Sequence, residues 1–155
     1  MLWYHQKNMI SIKLLNDNRL FPSLMNLSKI GLARDKVMNN ERDIDLESLI
    51  PLVAKDKLKF HDGLIQRYFA ETLLNFGDQY FSEAEKLINK AIDSDKQKGI
   101  MWHLARDYAT YAEWFKQKSD LPKARENLSK AVEIFKDCGA DGWVKKYKKE
   151  LVSLS

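Results

Sequence analysis

Cysteine is nearly absent. The one thiol, Cys138, has no internal partner, so no intrachain disulfide is expected, and a lone thiol fits a reducing compartment. Three prolines and six glycines in 155 residues are too few for a turn-rich all-β chain. Long apolar runs are missing too. The longest stretch without a charge is the nine residues 20–28, and a spanning helix needs about 20 apolar residues, so no membrane span is expected. The opening MLWYHQKNMISIK has no basic head, apolar run or small-residue cleavage site, so no leader is expected and a cytoplasmic location is. The glycines stand at 31, 63, 77, 99, 139 and 142 and never form G-x-x-x-x-G-K-[ST], so no phosphate-cradling loop is present. Neither sign of charge dominates: 26 Lys and Arg face 22 Asp and Glu, a net +4. Only Lys145, Lys146, Lys148 and Lys149 cluster, whereas a nucleic-acid module concentrates its excess on one face. What is abundant is apolar surface, 45% of residues, enough for one packed core in a chain of single-domain length.

Helical periodicity organises that surface. Ile100, Leu104, Tyr108, Tyr111 and Phe115 recur at helical spacing, and Met101, Ala105, Ala109 and Ala112 form a small-residue stripe beside them. Asp120 then caps a helix with Pro122 in its first turn, with Leu121, Ala124, Leu128, Ala131 and Phe135 facing inward. Gly139 ends it, and Asp141 caps a last helix with the stripe Trp143, Tyr147, Leu151 and Leu154. Upstream, 58–76 is a long helical pattern broken at Gly77-Asp78-Gln79. Ser82 with Glu85 reads as a capping box opening a helix that Gly99 closes. Nearer the N-terminus, 3–15 and 22–38 read as helices and 39–43 as a polar loop. Asp45 caps a short helix over 46–55 despite Pro51. No segment alternates long enough to predict a strand.

A shift of 40 residues superposes two of these helix pairs. AEKLINKAI (84–92) lies over ARENLSKAV (124–132), Gly99 over Gly139 and Tyr68 over Tyr108. Tyr108, Ala112, Phe115, Leu121, Ala124, Leu128 and Ala131 resemble the tetratricopeptide repeat, and Tyr68, Thr72, Phe81, Ala84, Ile88 and Ala91 follow more loosely. The period is nearer 40 than the family's 34, and Lys96 and Lys136 stand where the family places proline. The run 106–143 is also similar to the repeat tail at the C-terminal end of bacterial adenylate/guanylate cyclase–ATPase signalling proteins, a resemblance strongest over 60–152.

The resemblance implies an all-α, right-handed tetratricopeptide-like superhelix of about six to seven helices, filling 1–155 as one domain. Divergent helices would occupy 1–56, repeat units 57–99 and 100–139, and a capping helix 141–154. Such repeats are expected to be non-enzymatic protein-interaction modules; the alternative is a regulatory tail or fragment of a cyclase/ATPase. In the family the first helices line a groove. On this register its lining is Gln66, Phe69, Ala70, Leu73 and Phe76, then Arg106, Ala109, Thr110, Glu113 and Lys116. Apolar Phe69, Leu73 and Ala109 do not match the family's carboxylate clamp and suit an amphipathic helix instead, with Arg106 at the margin. The competing reading is that the N-terminal helices cover Phe69, Leu73 and Phe76. A protein or peptide partner is expected, with weak self-association through the same strip as a second use.

Other chemistry is thinner. His103 and Asp107 share a helix face, but no third ligand accompanies them, and His5 and His61 stand apart, so no metal is assigned. Cys138 sits at a helix C-terminus, where the dipole does not favour a thiolate nucleophile. Glu83/Glu85 and Asp93/Asp95 read as solvated helix surface. No catalytic residue and no cofactor is assigned. Lys145–Lys149 read as the outer face of a capping helix, with nucleic acid the less favoured partner. Trp102, Trp114 and Trp143 read as core between repeats.

Overall fold

The computed structural model describes residues 22–54 and 62–154. They form seven helices: α1 (Pro22–Met38), α2 (Leu46–Ala54), α3 (Asp62–Phe76), α4 (Phe81–Lys98), α5 (Met101–Gln117), α6 (Leu121–Asp137) and α7 (Asp141–Ser153), with a 3-10 turn at Asp78–Tyr80. No strand occurs among the described residues, and no helix among them is long and apolar enough to cross a membrane. The expected helix over 3–15, His5, His61 and Trp3 lie outside the described residues.

Two antiparallel hairpins, α3/α4 and α5/α6, make up most of the described residues, and α4 packs in turn on α5. The small residues explain how closely each pair approaches. Ala84 and Ala91 on α4, Ala105 and Ala112 on α5, and Ala124 and Ala131 on α6 are all fully buried at helix crossings. Ile88 and its 40-residue counterpart Leu128 are equally buried. α1 lies along α3, α2 touches both, and α7 closes the far end against α6.

Local chemistry sets most boundaries. Asp45 accepts from the Ser48 amide at 3.2 Å and opens α2, and Asp120 accepts from the Lys123 amide at 3.2 Å and opens α6. Gly99 (φ 68°) and Gly139 (φ 66°) take the left-handed conformation that ends α4 and α6. Arg42, beyond α1, donates to the last carbonyls of α3, Asn75 and Phe76, where a cation complements the helix dipole.

Four expectations are corrected. Ser82 does not cap α4: the 3-10 turn carries the chain into the helix two residues earlier, Tyr80 is the N-cap, and no side chain bonds there. Glu85 instead accepts from the Tyr111 hydroxyl at 3.1 Å. Asp141 is the first residue of α7, not its cap, which is Ala140. Leu121 is exposed because α6 begins there, before its inward stripe reaches the core. Asp95 is not solvated surface; it is 1% exposed.

Candidate functional site

The residues of the expected groove divide among three environments. Gln66, Phe69 and Leu73, one face of α3, meet Leu46, Ile50, Val53 and Ala54 of α2 and Glu83, Leu87 and Lys90 of α4 around a pocket of about 470 Å³. Phe69 and Leu73 are themselves buried and share a core cluster with Leu46 and Leu49, so α2 covers their inner side. Ile50 stays 56% exposed at the rim. Gln66 lines this space, and its Oε1 is buried with no hydrogen-bond partner among the described residues. The volume lies within the range of about 300–1,000 Å³ typical of ligand clefts. Phe76, at the end of α3, instead packs edge-on to Tyr80 at 5.8 Å, under Arg42.

Arg106, Ala109, Thr110 and Glu113 belong elsewhere. Ala109 is buried in the α5/α6 cluster with Leu128 and Ala131. Glu113 pairs with Lys116 at 2.6 Å, and Lys116 reaches Glu150 of α7 at 2.9 Å. Arg106 is already engaged: its guanidinium lies 4.4 Å from the centre of the Trp143 ring and 3.8 Å from Glu71. Thr110 donates to Glu71 at 2.9 Å.

Glu71 is thus the hub of a polar seam that the sequence reading did not anticipate. It receives Arg34 of α1 and Thr110 and Arg106 of α5, with Arg67 of its own helix 3.8 Å away. Arg67, 2% exposed, crosses to α5, donating to Asp107 at 2.8 Å and to the His103 carbonyl at 3.2 Å. Asp107 in turn lies within hydrogen-bonding reach of Asp95 at the end of α4. The Asp95 carboxyl packs on the backbone of Gly63 in the first turn of α3, and His103 Nδ1 is 3.8 Å from its Oδ2. Burial is the main influence on Asp107 and pushes its carboxyl up to about 8, against the pull of Arg67. Burial raises Asp95 as well, opposed by Asp107, His103, Arg67 and Lys98.

A signal for this cluster was present in the 40-residue shift. It places Asp95 on Phe135, His103 on Trp143 and Asp107 on Tyr147. At the later junction Phe135, Trp143 and Tyr147 stack on one another with centroids 5.7–5.9 Å apart. The earlier junction fills the same positions with ionisable groups. Charge where the repeat buries a ring is the mark of the cluster.

The remaining candidates fall on surfaces. Lys145, Lys146, Lys148 and Lys149 are exposed on α7, with Lys146 Nζ 5.0 Å from the Trp143 ring centre. Trp114 is core and donates to the Phe81 carbonyl at 2.9 Å, whereas Trp102 is 40% exposed. Cys138 is exposed. No group of three or more His, Cys, Asp or Glu suited to a metal ion occurs among the described residues. In comparisons with known proteins, no family model, curated protein or solved structure matches the chain.

Proposed function

We propose that this chain is a non-enzymatic protein-interaction module of tetratricopeptide-like hairpins. On this reading, the gap between α2 and the α3/α4 hairpin receives an amphipathic helix of a partner protein. The observation that carries the reading is the pocket itself. Leu46, Ile50, Val53, Phe69, Leu73 and Leu87 give it an apolar floor and wall, and Glu83 and Lys90 stand at its edge with opposite charges. An apolar cleft with a few charges at its rim suits a helix that presents side chains at i, i+3 and i+4. Two features support the module reading over chemistry: the ionisable groups of the seam bond one another across helices, and Arg106 is held by Glu71 and Trp143. Attachment to a catalytic cyclase or ATPase is one setting for such a module, and the resemblance over 106–143 supports it.

The test is selection of displayed helical peptides on the full chain, repeated on Ile50→Asp. Ile50 is exposed, so the variant is expected to keep its helix content by far-UV circular dichroism. Expected are peptides with apolar residues at helical spacing whose affinity falls at least tenfold on the variant. Failure to enrich such peptides, or equal binding to both proteins, overturns the reading. Sedimentation of both proteins tests the other occupant: self-association lost in Ile50→Asp would replace the foreign helix with a second copy.

A further inference from the structure

Four buried polar atoms have no hydrogen-bond partner among the described residues, and two of them, Asp95 Oδ2 and Asp107 Oδ2, belong to neighbouring carboxyl groups. Orphaned buried acceptors are costly, and a pair of them side by side calls for a physical explanation. Two ionised carboxylates here would also be two like charges in contact at 1% and 0% exposure. Arg67 is the cation hydrogen-bonded to the pair, and it reaches Asp107 Oδ1; neither Oδ2 has a hydrogen bond among the described residues, and the His103 imidazole stands 3.8 Å from that of Asp95.

A single proton resolves every term. One carboxyl, protonated, donates to the other through the two orphaned oxygens. The pair then carries one negative charge, which Arg67 balances. We propose that Asp95 and Asp107 share one proton at neutral pH, and that this proton fastens the α3/α4 hairpin to α5.

The surroundings are consistent with that state. From α3 the pair is faced by Arg67, with Glu71 3.8 Å from the Arg67 guanidinium. Lys98 of α4 bridges toward Asp62 at 3.6 Å. From α5 come the His103 imidazole and Arg106, the latter turned to Glu71. Arg34 of α1 is likewise held by Glu71, and Tyr147 of α7 is a buried phenol. The nearby arginines other than Arg67 are therefore engaged by Glu71. Asp95 also stands in the last turn of α4, at the negative end of the helix dipole, which further disfavours a second negative charge.

The sign of the effect follows from linkage. A carboxyl whose pKa is raised on folding contributes stability that is fully present below its unfolded pKa. That contribution is lost as pH rises through the folded pKa, here between about 4 and about 8. Above that window the pair becomes doubly charged, and the contact between α4 and α5 is the one that must loosen.

Infrared spectroscopy of the full chain tests the proposal. At pH 7 the exposed carboxyls are ionised, so the carbonyl stretch of a protonated carboxylic acid reports a buried one. Expected is that band in the wild type at pH 7, its loss as pH rises past about 8, and its absence in Asp95→Asn. Absence of the band from the wild type at pH 7 overturns the proposal, in favour of a bridging water, and this measurement stands even if a variant does not fold. Persistence of the band in Asp95→Asn overturns it too. Denaturation gives a second reading: between about pH 5 and 8 the unfolding constant of the wild type relative to Asp95→Asn should rise about tenfold per pH unit. A ratio independent of pH overturns the proposal.

Discussion

Gly63→Ala should destabilise the protein although helix propensity says the opposite. Gly63 lies in the first turn of α3, outside the left-handed region, so alanine is conformationally acceptable and propensity alone would favour it by up to about 1 kcal/mol. The obstacle is steric. A Cβ there would lie 2.6 Å from Asp95 Oδ2, with the other carboxyl atoms nearer still. Asp95 is 1% exposed and in contact with Asp107, so it has nowhere to swing without leaving the cluster. Overpacking of this kind costs about 1–3 kcal/mol, and parting the carboxyl from its partners costs about 1–3 more. The net expectation is a loss of about 1–5 kcal/mol, read as a lower urea midpoint at unchanged m-value. The decisive comparison is the same substitution in an Asp95→Ala background. With the carboxyl gone, the methyl has room, and Gly63→Ala should be neutral or stabilising by up to about 1 kcal/mol. Stabilisation by Gly63→Ala in the wild type, or an equal cost in both backgrounds, would refute the close approach of α3 to Asp95.

Ala124 is fully buried where α6 crosses its neighbour, so Ala124→Leu should cost about 1–3 kcal/mol in a urea melt. Lys130→Ala, which removes an exposed pair with Glu126, should change stability by less than about 0.5 kcal/mol; equal effects would contradict the packing. Phe69→Ser combined with Leu73→Ser should abolish cooperative unfolding and much of the far-UV helical signal, because each side chain is core and each deletion alone is worth about 2–5 kcal/mol. A double variant that keeps its helix content and midpoint would return these two residues to an open surface.

Much of the fold was legible because its causes are local. The 3.6-residue stripes, the Asp45 and Asp120 caps and the left-handed Gly99 and Gly139 act within a turn or two of chain, and α2 and α6 begin, and α4 and α6 end, where those signals stand. The 40-residue register was readable for a related reason: small residues recur where helices must cross, and Ala84, Ala91, Ala124 and Ala131 are all fully buried. Where a signal had two local solutions, the reading failed. Ser82-x-x-Glu85 has the composition of a capping box, but the turn at 78–80 starts α4 at Phe81 and leaves Ser82 inside it.

The candidate site depended on which helix lies next to which, and spacing within one helix does not report that. The sequence alone determined that Phe69 and Leu73 share one face of an amphipathic helix and that Arg106 lies on another helix. Only the tertiary structure decided that the two apolar residues turn toward α2 and α4 while Arg106 turns to Glu71 and Trp143. The same holds for the charged junction. In the sequence Asp95 reads as solvated helix surface, Asp107 as a helix-face neighbour of His103, and Arg67 carries no signal of its own. They become a buried ion pair and a carboxyl pair because α3 and α4 both close on α5, removing the water that would have solvated each of them.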